Sequence, residues 1–169
     1  MSKKTLILLT LINFFYKDYL RANSDKDIQV FFSPKGGCIN AIVSAIELAK
    51  KSVYVQAFIF TSEPIFQALA KAHNNGIEVK IIADYSQREA ISSKIKDFAI
   101  EGIPVMLHRS KGLHHSKVLI IDNDIVITGS YNFTKAAENR NVENIVIIKN
   151  KKICLLFKKE FNRLLSMQK

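Results

Sequence analysis

Cysteine is scarce in this sequence, which has only Cys38 and Cys154 among 169 residues. No Cys-x-x-Cys pair occurs, and the four histidines show no zinc-ligand spacing with the two cysteines. These absences argue against a structural metal, and we expect the protein to need no cofactor. The two cysteines could pair in an oxidising compartment. Each also lies in a segment with helical periodicity, and a cysteine there is more often a small buried residue than one half of a disulfide.

Acidic residues are also few, with 15 Asp and Glu against 25 Lys and Arg and a net charge of +10. A surface this basic favours polyanionic partners, nucleic acid first and an anionic membrane second. Charge alone does not choose between them. The sequence contains no internal repeat and no low-complexity linker. Its length corresponds to one domain with a full hydrophobic core.

Long apolar runs are missing as well. The N-terminal run at residues 5–15 is too short for an ordinary membrane-spanning helix, and Lys3 and Lys4 precede it. That pattern is typical of a signal peptide or an uncleaved signal anchor, although the residues around Ala22 make a poor cleavage site. An amphipathic first helix is disfavoured because apolar residues surround the whole segment. We therefore predict a signal peptide or N-terminal membrane anchor at residues 1–23, a folded domain at residues 24–169, and export to the periplasm, free or membrane-anchored.

Segments with strand character alternate with segments of helical periodicity along the first two thirds of the domain. Predicted strands at residues 28–32, 52–60, 77–83 and 103–107 are separated by predicted helices. The last of these helices is expected at residues 86–99, and its inward side chains are Ile91, Ile95 and Phe98. This alternation predicts a parallel sheet covered by helices.

The final third adds a hairpin, a strand at residues 143–149 and a last helix from about residue 151. Because a hairpin contributes antiparallel strands, the predicted fold class is α/β with a mixed, mostly parallel sheet flanked by helices on both faces. The last helix is expected to pack through one apolar stripe, which comprises Ile153, Leu156, Phe157, Phe161, Leu164 and Leu165.

The most informative stretch is residues 113–132, LHHSKVLIIDNDIVITGSYN. His115 and Lys117 are two residues apart, so on a strand they face the same side. The turn-like residues that follow predict a hairpin, which returns Ser130 and Asn132 beside them. An imidazole, an ammonium, a hydroxyl and an amide would then converge, a group that suits a phosphate. Asp122 is an odd number of residues from both and faces away.

The full spacing, His-x-Lys-x4-Asp-x6-Gly-Ser-x-Asn, resembles the signature of the phospholipase D superfamily. The sequence is most similar to the small, single-motif bacterial endonucleases of that superfamily, from about Ile28 through the last helix. The resemblance implies a phospholipase D-like α/β/α sandwich. It also implies that Glu143, in Asn-Val-Glu-Asn, hydrogen-bonds the catalytic histidine.

The resemblance further implies that two motifs meet across a two-fold axis, where one histidine is phosphorylated and the other serves as the acid. This chain has one motif, so it would act as a homodimer. The predicted function is a metal-independent endonuclease that works through a phosphohistidine, prefers single strands, and takes single-stranded DNA ahead of RNA. The predicted catalytic residues are His115, Lys117, Ser130, Asn132 and Glu143, supported by Asp122 and Gly129.

Side chains on either side of the motif are candidates for contacting the nucleic acid: Arg109, Lys111, Phe133, Lys135 and Arg140. Each basic residue in this set could equally be a solvated surface charge, and Phe133 could be a core residue rather than a stacking platform for a base. Two alternative functions stay open. One is a phospholipase or other phosphodiesterase acting on lipid headgroups, and the other is a non-catalytic nucleic-acid-binding protein.

Overall fold

The computed structural model describes residues 27–109 and 111–167. The predicted signal peptide or anchor at residues 1–23 lies outside these residues and stays a prediction, as do the export and the domain boundary that follow from it. In the part that the structure describes, no helix combines the length and the apolar character needed to cross a membrane.

Seven strands and five helices make up the described chain. The strands are β1 (Ile28–Ser33), β2 (Ser52–Ala57), β3 (Glu78–Asp84), β4 (Val105–His108), β5 (Val118–Ile121), β6 (Ile125–Gly129) and β7 (Glu143–Lys149). The helices are α1 (Cys38–Glu47), α2 (Glu63–Asn74), α3 (Ile95–Ile100), α4 (Lys135–Asn139) and α5 (Lys151–Ser166). A 3-10 turn, Tyr85–Arg88, follows β3 directly.

All seven strands form one sheet, in the order β1-β7-β6-β5-β2-β3-β4. The β2–β3 and β3–β4 pairs are parallel, and the other four neighbouring pairs are antiparallel. Following these pairings across the sheet, β1, β2, β3, β4 and β6 run in one direction, and β5 and β7 run in the other. The prediction of a mixed sheet is confirmed. Five of the seven strands share a direction, although only two of the six neighbouring strand pairs are parallel.

Alternating side chains of each central strand enter two separate cores. Val53 and Val55 of β2 join the larger core under α1 and α2, whereas Tyr54 joins the smaller core under α5. Helices therefore cover both faces of the sheet, as predicted. The two cysteines are free, and Cys38 lies in the larger core while Cys154 lies in the smaller one. Burial raises the pKa of each thiol to about 11, and both side chains act as small core residues.

The predicted helix at residues 86–99 is wrong in its first half. The Asp84 carboxylate accepts hydrogen bonds from the amide and the hydroxyl of Ser86, which stabilises a tight local turn instead of a helix. Ile91 is consequently fully exposed, while Ile95 and Phe98 of the short α3 are buried as expected. One position of the α5 stripe is also wrong, because Leu156 is exposed and Cys154 faces the sheet instead.

Candidate active site

The motif residues gather at one edge of the sheet. The carboxyl ends of the five co-directional strands meet there, together with the start of β5 and of β7. Open α/β sheets bind ligands at this edge, because loops leave it freely and the strands beneath hold the loops in place. His115 and Lys117 come just before β5, and Ser130 and Asn132 come just after β6.

His115 and Lys117 form a close pair in the loop that leads into β5. The Lys117 Nζ atom lies 3.0 Å from His115 Nδ1 and also donates to the His115 carbonyl oxygen. The His115 ring is exposed, whereas Lys117 is only 7% exposed. Burial lowers the pKa of Lys117, and the nearby charge of Glu143 partly opposes that shift. A desolvated ammonium beside an accessible imidazole is suited to holding an anion next to the ring.

Phe58, just past the end of β2, packs beneath this pair. Its ring centroid lies 4.4 Å from that of His115, and the Lys117 Nζ atom lies 5.0 Å from the same ring. The ring therefore limits the positions open to both groups and contributes a cation–π contact to the ammonium. Sequence reasoning missed Phe58 because the contact depends on β2 pairing with β5, two strands far apart in the chain.

The Ser130 hydroxyl is hydrogen-bonded within the protein, whereas the side-chain oxygen of Asn132 is not. The Ser130 hydroxyl donates to Asn144 Oδ1 at 3.1 Å and accepts from the Asn144 amide at 3.1 Å. The buried Asn132 Oδ1 atom has no hydrogen-bond partner among the described residues. Gly129 allows β6 and β7 to approach here, because a Cβ at this position would lie 2.1 Å from the Asn144 carbonyl oxygen. A larger residue would push Ser130 away from β7.

Glu143 does not form the hydrogen bond with His115 that the resemblance implies. Its Oε1 atom accepts from Asn141 Nδ2 at 3.1 Å, and its amide donates to Ser33 Oγ at 3.2 Å. The Nδ1 side of the His115 ring instead faces the Lys117 Nζ atom, at 3.0 Å. Glu143 remains close enough to Lys117 to influence its pKa.

Asp122 lies at the other end of β5 from the His115–Lys117 pair. It occupies a tight hairpin turn, where it and Asn123 have φ angles of 54° and 58°, as a type I′ turn requires. Its carboxylate accepts from the backbone amides of Lys50 and Lys51, both at 2.7 Å, and of Ser52 at 2.9 Å. Asp122 thus ties the motif hairpin to the loop before β2.

We expect Asp122→Ala to lower the free energy of unfolding by about 2–4 kcal/mol, because three backbone amides lose a charged acceptor. Asp122→Asn keeps one acceptor oxygen and tolerates a positive φ, so it should lose less. Urea unfolding followed by circular dichroism measures both variants. An alanine variant as stable as wild type would contradict this role for the carboxylate.

His114 contrasts with its neighbour because it is buried. Its amide donates to Asp84 Oδ2 at 2.7 Å, and its ring centroid lies 5.4 Å from that of His108. Burial, and after it the neighbouring His108, lowers the pKa of His114 to about 4, so the ring is neutral at pH 7. Burial alone would raise the pKa of Asp84, but hydrogen bonds from Ser86 and from the His114 amide outweigh it and lower that pKa. Asp84, which sequence reasoning missed, anchors the motif loop to β3.

The residues predicted to contact nucleic acid divide into two groups. Arg109, Lys111, Lys135 and Arg140 are exposed at the site edge or on the loops around it. Phe133 is 2% exposed and packs on Phe60 at a centroid distance of 5.3 Å, so the prediction that it stacks on a base is wrong. Its carbonyl accepts from the amides of Thr61 and Ser62, and these bonds hold the segment against the core.

A metal ligand set is not evident at this site. Within residues 27–109 and 111–167, no group of three or more His, Cys, Asp and Glu side chains is arranged to hold an ion. The polar groups that converge near His115 are an ammonium, a hydroxyl and an amide. These are hydrogen-bond donors suited to an anion.

Comparisons with known proteins agree with the geometry. Residues 42–165 match the family model described as "Cardiolipin synthase, PLD-like domain". The chain is 38% identical over 130 residues to a protein named phospholipase D from Rickettsia typhi, with 77% of this chain and 64% of the relative covered. It is 31% identical over 121 residues to a mitochondrial cardiolipin hydrolase from Chlamydomonas reinhardtii, with 72% and 54% covered. The chain thus spans just under two thirds of the first of these relatives and about half of the second.

Among solved structures, Nuc from Salmonella typhimurium, described as a phospholipase D family member, superposes with a TM-score of 0.78 at 37% identity. The alignment covers 82% of this chain and 93% of that one. NucT from Helicobacter pylori superposes with a TM-score of 0.73 at 27% identity, covering 82% and 95%. The motif, the fold and these similarities lead to one conclusion: the chain belongs to the phospholipase D superfamily, whose members are phosphodiesterases.

Proposed function

We propose that this protein is a metal-independent endonuclease that cleaves nucleic-acid phosphodiester bonds through a phosphohistidine at a site shared by two copies of the chain. The observation that carries the proposal is the exposed imidazole of His115 beside the buried ammonium of Lys117, at 3.0 Å, on a chain of net charge +10. The imidazole supplies a nucleophile, and the ammonium offsets charge on the phosphate oxygens.

In the first half of the reaction, Nε2 of one His115 attacks phosphorus, a P–N bond forms, and the P–O bond to the leaving strand breaks. The leaving oxygen takes a proton from His115 of a second copy. In the second half, that second imidazole removes a proton from water, the water oxygen attacks phosphorus, and the P–N bond breaks. Both histidines return to their starting protonation states. His115 of one copy has served as the nucleophile, and His115 of the other has served first as the acid and then as the base.

The observed His115–Lys117 contact has to change before His115 can fill either role. The acid role needs an imidazolium, because loss of the Nε2 proton from a neutral ring would leave an imidazolate. When Nδ1 accepts a hydrogen bond from an ammonium, a neutral imidazole carries its proton on Nε2. The nucleophilic role needs the opposite tautomer, with Nδ1–H donating to a carboxylate. In this proposal an arriving phosphate draws the Lys117 ammonium away from Nδ1, and Glu143 then accepts from that nitrogen.

Two features support a shared site. Three histidines lie near the motif in the described chain. His114 is buried and His108 has a buried Nδ1 atom. Of these three, only His115 is exposed in a single chain. Large apolar side chains are also exposed close to the motif residues, with Leu113 64% and Val142 87% exposed. A second copy placed over this edge would supply the missing acid and cover those side chains.

A second candidate is a phospholipase, which the names of the Rickettsia and Chlamydomonas relatives favour. The same chemistry would act there on a lipid headgroup. The resemblance to small single-motif endonucleases and the strongly basic composition favour nucleic acid. A purely binding role is less suited to the site, because binding alone does not require an exposed imidazole beside a buried ammonium.

We expect the full chain to cleave single-stranded DNA in EDTA, and to cleave duplex DNA and RNA more slowly at matched salt. Matched salt is needed because phosphate contacts are screened by ions. The measurement is product formation on single-stranded DNA, duplex DNA, RNA and phosphatidylcholine vesicles, each with and without EDTA. Activity restored only by added magnesium would refute the mechanism. Hydrolysis of the lipid alone would refute the substrate class.

A further inference from the structure

Two arginines flank one tyrosine ring at the rim of the site. Tyr85 follows the end of β3, Arg109 follows the end of β4, and Arg88 ends the 3-10 turn. The guanidinium carbon of Arg109 lies 4.9 Å from the Tyr85 ring centroid, and that of Arg88 lies 6.0 Å from it. Arg88 Nη1 also donates to the Tyr85 hydroxyl at 3.0 Å. One aromatic side chain thus orients two cationic ones.

The charges in this cluster are not balanced. Arg88 Nε lies 3.2 Å from Glu89 Oε1, so a carboxylate partly offsets its charge. In the described part of the chain, no carboxylate lies within ion-pair distance of Arg109, and its side chain is exposed. Two guanidinium groups drawn to one ring repel each other. An anion bound between or beside the two guanidinium groups would offset this repulsion.

The cluster is joined to the motif loop by short contacts. Asp84, which immediately precedes Tyr85, accepts from the amide of His114, which immediately precedes His115. Asp84 is also in register with His108, which immediately precedes Arg109. One Cα step on either side of that hydrogen bond places Tyr85 on the order of 10 Å from His115. A chain of phosphodiesters can reach both places at once.

We propose that Tyr85, Arg88 and Arg109 form a second phosphate site, which binds a phosphate of the nucleic-acid strand next to the scissile one. This inference rests on the proposed function and adds a binding subsite to it. The Tyr85 ring fixes the plane of the Arg109 guanidinium, whose N–H groups then bind phosphate oxygens in a bidentate manner. The outer face of the same guanidinium is free to stack on a base. Tyr85 and Arg109 together would provide the base-stacking contact that the sequence analysis predicted for Phe133.

The second site distinguishes polymeric from simple substrates. Phosphatidylcholine has one phosphodiester, so it cannot occupy His115 and the arginine cluster together. A nucleic-acid strand can, and each additional phosphate contact adds to its affinity and to its salt dependence.

The test uses the full chain carrying His115→Ala, so that bound DNA is not cleaved, and measures fluorescence anisotropy of a labelled single-stranded oligonucleotide over a series of salt concentrations. Adding Arg109→Ala should weaken binding about tenfold and reduce the salt slope by about 0.7, the contribution of one phosphate contact in a single strand. Tyr85→Leu should weaken binding similarly, whereas Tyr85→Phe, which keeps the ring, should retain most of the affinity. Lys159→Ala, which removes an exposed positive charge on α5, is the matched control and should leave affinity and slope as in the parent.

Arg109→Lys keeps the charge but loses the planar group, and it serves as the second variant if the alanine variant fails to fold. It should bind several-fold more weakly than its parent with little change in slope. If neither Arg109 variant differs from Lys159→Ala while wild type still cleaves DNA, the second site is wrong and the proposed function stands. If wild type neither binds nor cleaves nucleic acid but hydrolyses phosphatidylcholine vesicles, the proposed function itself has failed.

Discussion

Replacing His115 with alanine should abolish turnover, with a loss of about 10⁴-fold or more, because one substitution removes the nucleophile together with the acid and base. The side chain is exposed and belongs to no core, so the fold should persist. His73→Ala, a histidine on α2 outside the site, is the matched control and should keep wild-type rates. The measurement is single-strand cleavage, together with mass spectrometry of wild-type protein denatured during turnover. A nucleotide should be attached to the peptide that contains His115.

Subunit mixing gives a sharper form of the same experiment. If two copies share a site, a heterodimer of wild type and His115→Ala holds one histidine and should be nearly inactive. Adding excess variant under verified exchange should therefore reduce total activity as wild-type homodimers are depleted. Constant activity per wild-type chain would mean that each chain works alone. A His115→Ala protein that retains substantial turnover would instead remove His115 from the mechanism.

Lys117→Met should reduce the cleavage rate by about 10³-fold, because a buried positive charge beside the phosphate is lost while the length of the side chain is kept. Lys159→Met, at an exposed position on α5, is the matched control and should affect the catalytic rate far less. The readout is the catalytic rate at saturating substrate, which separates chemistry from binding.

The pH profile provides a second readout for Lys117. Burial lowers its pKa below that of an ordinary lysine. The ammonium is present below that pKa and is lost as pH rises through it, so wild-type activity should fall on the alkaline side earlier than a solvent-exposed lysine would dictate. Lys117→Arg does not titrate in this range, so whatever activity it keeps should lack that alkaline fall. If Lys117→Arg shows the same alkaline fall in activity as wild type, a group other than Lys117 controls that fall.

Much of the architecture followed from local pattern. The strand at Glu143–Lys149 and the start of α5 were predicted correctly, because each has a clear period and distinct flanking residues. The motif spacing likewise placed Ser130 and Asn132 beside His115 and Lys117 at one end of a hairpin. The error in the helix predicted at residues 86–99 lies where a side chain competes with the backbone, because Asp84 binds Ser86 and replaces the start of the helix by a turn.

By itself, the sequence determined the family, the mixed sheet and the identity of the groups at the site, since these depend on spacing along one chain. Only the tertiary structure decided the environment of each group, because burial and partner choice depend on strands that are distant in sequence. It set Phe58 under His115, buried Lys117 and Phe133, and gave Asp122 three amides to bind. It also placed Tyr85 against Arg109 where β3 and β4 end side by side, a contact that no local pattern encodes.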